Sequence, residues 1–131
     1  MCGIAGIYSP NKTREKIIHI ASEMSSAIAY RGPDDSGVWA DKNTNIALSH
    51  QRLSIVDLSS NGHQPMSSDC SRYTIVFNGE IYNHRFLRNK LIESNAKYSF
   101  RGNSDTEVLL LAIKVWGIEA ALQKCEGMFA I

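Results

Sequence analysis

Cysteine, long apolar runs and an excess of either charge are all scarce in this chain, and each scarcity removes a class of protein. Only Cys2, Cys70 and Cys125 carry thiols among 131 residues. The number is odd and no CxxC spacing occurs, so neither a disulfide framework nor a zinc site follows, and a reducing cytoplasm is the expected compartment. The longest apolar stretch, Val108 to Ile113, stops at Lys114 and is far too short to cross a bilayer, so no membrane partner is expected. Met1-Cys2-Gly3-Ile4 lacks the basic region and apolar segment of a signal peptide. Fourteen Lys and Arg face thirteen Asp and Glu, for a formal net charge of +1, and the basic residues are scattered. Nucleic-acid surfaces normally show a basic stripe, so no nucleic-acid partner is expected. The four histidines, His19, His50, His63 and His84, show no metal-ligand spacing and read as surface or structural groups, with no metal site. GxSxG, GxGxxG and Walker loops are absent.

What is present is ordinary for a globular domain: 44% hydrophobic and 21% charged residues. A chain of this length supports one compact domain, residues 1–131, burying roughly two-thirds of its unfolded surface. Cys2 to Tyr8 is a short apolar run without helical period, which predicts a buried strand. Ile17, Ile20, Ala21, Met24 and Ile28 recur at helical spacing. Tyr30 to Gly37 is dense in turn formers, and short strands are predicted at Val38 to Ala40, Ile46 to His50, Leu53 to Val56 and Tyr73 to Phe77. Asn61 to Ser71 reads as a polar loop, and a turn and then a helix are predicted from Glu80 to Leu91. Ser104-Asp105-Thr106-Glu107 is a capping-box pattern ahead of the apolar run Val108 to Trp116, with Gly117 as its stop. A short helix from Glu119 to Cys125 and a strand starting at Met128 complete an α+β pattern without strict βαβ alternation.

Four features carry chemistry on one reading and plain structure on another. Cys2 becomes the first residue if Met1 is removed. Its α-amine, titrating near pH ~7.7–8.0, is then neutral far more often than a lysine of pKa ~10.4. Thiol and amine on one residue form a nucleophile and base without a separate histidine. The plainer reading is that Cys2 merely opens a buried strand. Asn78-Gly79 is a strong hairpin signal, yet a side-chain amide and an exposed glycine N–H also suit an oxyanion hole. Arg52 reads either as a solvated strand-end charge or as a bidentate clamp on a carboxylate. Asp105 is explained by the helix dipole and equally suits an ammonium partner.

Taken in order, Cys2-Gly3-Ile4-Ala5-Gly6-Ile7, Arg31-Gly32-Pro33-Asp34, Ser49-His50-Gln51-Arg52-Leu53-Ser54-Ile55-Val56-Asp57, Gly62-His63-Gln64-Pro65, Asn78-Gly79-Glu80-Ile81-Tyr82-Asn83 and Ser104-Asp105-Thr106-Glu107 form a specific combination. Together they resemble the N-terminal glutaminase domain of glutamine-hydrolysing asparagine synthetases, a class II glutamine amidotransferase of the N-terminal-nucleophile hydrolase fold. The resemblance runs from Cys2 to Ile131, and Arg31 to Gly37 points to the asparagine-synthetase branch. It implies a four-layer αββα sandwich, truncated at the C-terminus. Catalytic roles fall on Cys2 as nucleophile and on Asn78 and Gly79 as the oxyanion hole. Glutamine would be held by Arg52, by the wall Leu53, Ser54, Ile55 and Val56, by Asn78 and Gly79, and by Glu80 and Asp105 at its α-ammonium. No cofactor is implied for the glutaminase step. ATP and Mg are expected only in a synthetase domain, the implied partner, whose Ser-Gly-Gly-x-Asp-Ser loop does not occur in these residues. The resemblance also admits a homodimer. Tyr30 stands where family members commonly have His.

Other readings remain at this point. The ammonia acceptor is aspartate or another carboxylate, for example on a nucleotide sugar or a peptide antibiotic precursor. A non-catalytic module that binds glutamine would need no free α-amine. A papain-like pairing of Cys2 with His50 lacks an identifiable orienting partner.

Overall fold

The computed structural model describes residues 2–94 and 98–131. Met1, whose removal the sequence reading invokes, lies outside them. Three antiparallel strands form the first sheet: β1 (Gly3–Tyr8), β2 (Asp35–Ala40) and β3 (Ile46–Arg52), in the order β1-β3-β2. Gly3 pairs with Gln51 and Tyr8 with Ile46, so one further step of this register sets Cys2 opposite Arg52. Asp35 pairs with Arg52 from the other side. Nucleophile candidate and arginine are thus neighbours by strand register.

Helix α1 (Arg14–Ala27) lies against this sheet. Thr13 caps it by accepting from the Lys16 N–H at 3.4 Å. Its buried residues, Ile17, Ala21 and Ser25, follow an i, i+4, i+8 stripe. Met24, expected on that stripe, is rotated outward and is 37% exposed. The small inner residues Ala21, Ala40 and Ala47 let helix and sheet approach closely, with Ile17 filling the centre. Gln51 ties the end of the helix to β3 by donating to the Ser25 carbonyl and hydroxyl at 3.2 and 3.0 Å.

The larger core belongs to the rest of the chain. Strands β4 (Met66–Ser67) and β5 (Thr74–Ile75) pair with each other, as do β6 (Asn78–Ile81) and β7 (Gly127–Ala130). Helices α2 (His84–Ser94), α3 (Asp105–Trp116) and α4 (Ile118–Gln123) pack together. Leu87 and Leu91 of α2, Val108 to Leu110 with Ala112 and Ile113 of α3, and Phe77 and Ile81 share one apolar cluster. The N-cap of α3 forms as the pattern predicts, Ser104 accepting from the Glu107 N–H at 3.2 Å. The Glu107 carboxylate, however, reaches past Ser104 to the N–H groups of Arg101 and Gly102 at 2.8 and 2.9 Å. The box therefore closes on the preceding loop.

Three local readings are corrected. Strand β2 begins at Asp35 rather than Val38, because Asp34 already donates to the Arg52 carbonyl at 3.0 Å and extends the pairing. Leu53 to Val56 is a loop, not a strand: the Ser54 N–H is taken by the Asp34 carboxylate at 2.8 Å, and no strand pairs there. Asn78-Gly79 is not a hairpin turn, and Glu80 belongs to no turn. Both residues of the pair and Glu80 lie in β6, with β7 as the partner some fifty residues later in the chain.

Candidate active site

All ten residues singled out in the sequence line one cavity of about 130 Å³: Cys2, Arg52, Leu53, Ser54, Ile55, Val56, Asn78, Gly79, Glu80 and Asp105. They arrive from four places: the residue before β1, the end of β3 with the loop after it, strand β6 and the first turn of α3. Cys2 is half-buried. Its Sγ accepts from the Leu53 N–H at 3.3 Å, while the Cys2 carbonyl accepts from Arg31 Nε at 3.0 Å. The backbone on both sides of the thiol is therefore held before any ligand arrives.

Arg52 is 7% exposed, so the solvated reading is excluded. Its guanidinium donates to the Ser59 carbonyl at 2.8 Å and to the Asp57 carbonyl, folding the segment from 53 to 59 back over the cavity. Gly62 makes room for this: a Cβ there would collide with the guanidinium. Asp57 completes the loop. Its carboxylate accepts from the Ser59 hydroxyl and N–H at 2.7 and 2.8 Å and from the Asn103 N–H at 2.7 Å. The Ser59 hydroxyl first, and then the Asn103 N–H, hold the Asp57 carboxyl below the usual carboxylate range. Ile55 and Leu58 are 68% and 80% exposed.

Asp105 is buried and its carboxylate accepts from the N–H groups of Ile81 at 3.0 Å and Thr106 at 2.9 Å. It locks the end of β6 to the start of α3. Asn78 is half-buried, and its side-chain oxygen is shielded from solvent without a partner among the described residues. Gly79, at φ +156°, sits so near β7 that a Cβ would strike the Met128 carbonyl and the Phe129 backbone.

Sequence reasoning missed several lining residues: Asp57, Gly62, Gln64, Phe77, Ser104, Thr106 and Met128. The motif strings contain Asp57, Gly62, Gln64, Ser104 and Thr106, so the signal was present without a role attached. Met128 reaches the cavity through the β6–β7 pairing and Phe77 through its bonds to Gln64 and His50, none of which a local pattern announces.

His50 is fully buried and absent from the cavity wall. Its Nε2 lies 3.1 Å from the Phe77 carbonyl. A carbonyl only accepts, so the ring proton sits on Nε2. Burial pushes the imidazole down to about 4, against the opposing pull of the Phe77 carbonyl. A base that weak and that engaged does not pair with Cys2. The other two thiols stand elsewhere: Cys125 is half-buried and pushed up by burial, whereas Cys70 is exposed.

The family model for a glutamine amidotransferase domain matches residues 1–131. The chain belongs to the glutamine amidotransferase domain family. As such a domain it is an enzyme domain, and it is similar to curated glutamine-hydrolysing asparagine synthetases. These include asparagine synthetase 1 of Bacillus subtilis, 39% identical over 99% of this chain, and asparagine synthetase B of Escherichia coli, 38% identical over 99%. An amidase of Gibberella zeae, chry2, is 33% identical over 99% of the chain. The amidotransferase domain spans about a fifth of the length of these relatives, 20%, 22% and 20% respectively.

Proposed function

We propose that this domain hydrolyses glutamine to glutamate and ammonia and supplies the ammonia to a synthetase that makes asparagine from aspartate. The observation that carries the reading is the convergence of all ten candidate residues on one cavity that contains the Cys2 thiol. With Met1 removed, the α-amine of Cys2 takes the thiol proton as Sγ attacks the amide carbon of glutamine. The tetrahedral oxyanion accepts hydrogen bonds from the Asn78 side chain and the Gly79 N–H. Collapse breaks the C–N bond, the protonated amine returns its proton to the leaving ammonia, and a thioester remains. Water then adds to the thioester carbonyl and releases glutamate and the free thiol. Preorganisation is the physical support for these roles: donors held by β6–β7 pairing need not reorganise as charge develops.

Arg52 binds the substrate carboxylate. Two of its five donors already hold the loop carbonyls, so clamp and pocket wall form together. Glu80 and Asp105 balance the α-ammonium. We place this arrangement in a four-layer αββα sandwich of the N-terminal-nucleophile type, acting in the cytoplasm, with ATP and Mg serving only the synthetase step.

The test is glutamate release by the full-length protein, with and without Cys2→Ser. Cys2→Ser is expected to lose nearly all hydrolysis, while Cys70→Ala and Cys125→Ala keep most of it. Glutamine binding without glutamate release in the unsubstituted protein would instead indicate a non-catalytic module.

A further inference from the structure

Phe77 occupies the gap between β5 and β6, where no strand partner serves its backbone. It is 2% exposed, so water does not serve it either. Two buried side chains take that place. The Phe77 N–H donates to Gln64 Oε1 at 2.6 Å, and the Phe77 carbonyl accepts from His50 Nε2 at 3.1 Å. Gln64 is itself anchored, its Nε2 donating to the Thr106 hydroxyl in the first turn of α3 at 3.2 Å. A peptide group is planar. Holding the Phe77 N–H therefore fixes the plane before Phe77, and holding its carbonyl fixes the plane that carries the Asn78 N–H.

We propose that His50 and Gln64 are positioning residues, a two-point clamp on Phe77 that sets where Asn78 presents its side chain to the reacting carbonyl; this rests on the glutaminase reading of the site. The arrangement explains why a fully buried histidine stands on β3 with its Nδ1 unpartnered among the described residues. One nitrogen is needed as a donor, and neither is needed for proton transfer. It also gives the buried amide of Gln64 a purpose that loop stability alone does not require, since its partners belong to two different elements of the site.

The experiment uses the full-length protein and steady-state glutaminase kinetics. His50→Phe keeps the ring's shape and removes the donor. We expect kcat to fall about 10- to 100-fold, the scale of a modest misplacement at a reacting centre, with KM for glutamine changed less than about threefold. His50→Gln restores an N–H donor and cannot act as a base, so it should recover most of kcat. Thr106→Val, which keeps the shape of this lining residue and removes the acceptor of the Gln64 amide, should lower kcat about fivefold on the same reasoning. Unchanged kcat in His50→Phe would overturn the proposal. So would a loss in His50→Gln as deep as in His50→Phe, or an effect confined to KM. Should His50→Phe lose its cooperative melt, Thr106→Val decides, and a kcat equal to the unsubstituted protein's would overturn the clamp. Absence of glutamate release from the unsubstituted protein would sink the functional reading and the clamp with it. Release that is abolished by Cys2→Ser but insensitive to His50→Phe and Thr106→Val would sink the clamp alone.

Discussion

The inner face of helix α3 between Val108 and Ile113 and strand β3 from Ser49 to Arg52 are both closed to solvent, but they are filled with opposite chemistry. The helix is lined by Val108, Leu109, Leu110, Ala112 and Ile113, whereas the strand end is four successive polar side chains, none more than 8% exposed. In α3, contacts are non-directional and one aliphatic group replaces another at modest cost. In β3 each polar group has a particular partner: Ser49 the Ala5 carbonyl, His50 the Phe77 carbonyl, Gln51 the end of α1, and Arg52 the loop carbonyls. Apolar burial holds the domain together; polar burial aims it. The two regions should accordingly fail in different assays.

The sharpest way to break that contrast is to truncate α3. Leu109 is fully buried, and Leu109→Ala is expected to cost about 2–5 kcal/mol of stability through lost burial and a residual cavity. Denaturant melts measure this, and kcat below the transition should stay near that of the unsubstituted protein. At the other region, Asn78→Ala should lower kcat about 100- to 1,000-fold as an oxyanion donor is lost, with the melting curve little moved. Arg52→Lys should instead act mainly on KM, because a point charge cannot hold two loop carbonyls and a carboxylate together. A large kcat effect from Leu109→Ala in fully folded protein would dissolve the distinction.

A smaller effect separates the regions by pH. An unfolded histidine takes up a proton below pH ~6.5, whereas folded His50 resists until about 4. Across that window the unfolded state binds more protons, so the contribution is fully present above pH ~6.5 and is lost as pH falls toward 4. The loss should be on the order of 3 kcal/mol. Denaturant melts at pH 7 and 4.5 should show a steeper decline for the unsubstituted protein than for His50→Gln. Equal slopes would mean the imidazole is not kept neutral by burial.

The same contrast governs what the sequence discloses. Helix α3 is legible because its apolar run, its Ser104 cap and Gly117 all lie within one short stretch of chain. The β3 end reads as a strand, but nothing local says that Gln51 will reach Ser25 or that Asp57 will reach Asn103, 26 and 46 residues away. Alternation suggests a strand at Leu53 to Val56. The Cys2 thiol and the Asp34 carboxylate override it by taking the Leu53 and Ser54 N–H groups that a ladder would use. Asn78-Gly79 carries a hairpin signature and yet lies in β6, because its strand partner is supplied by distant β7. Cys2, Arg52, Asn78 and Asp105 each allow two readings singly, and their ordered combination is what gathers them.

The surface thiol has a practical consequence for anyone labelling this protein. Cys70 is exposed, and the Ser68 hydroxyl, 3.4 Å away, together with the Arg72 N–H draws its pKa below the ordinary thiol value. Thiolate fraction and access both govern alkylation rate, so maleimide or iodoacetamide should modify Cys70 readily. Cys2 is half-buried, with its Sγ accepting from the Leu53 N–H. A label on Cys70 therefore reports the connection between β4 and β5, away from the cavity. Covalent inhibitors aimed at Cys2 are best screened on a Cys70→Ala, Cys125→Ala background, where Cys2 is the one remaining thiol.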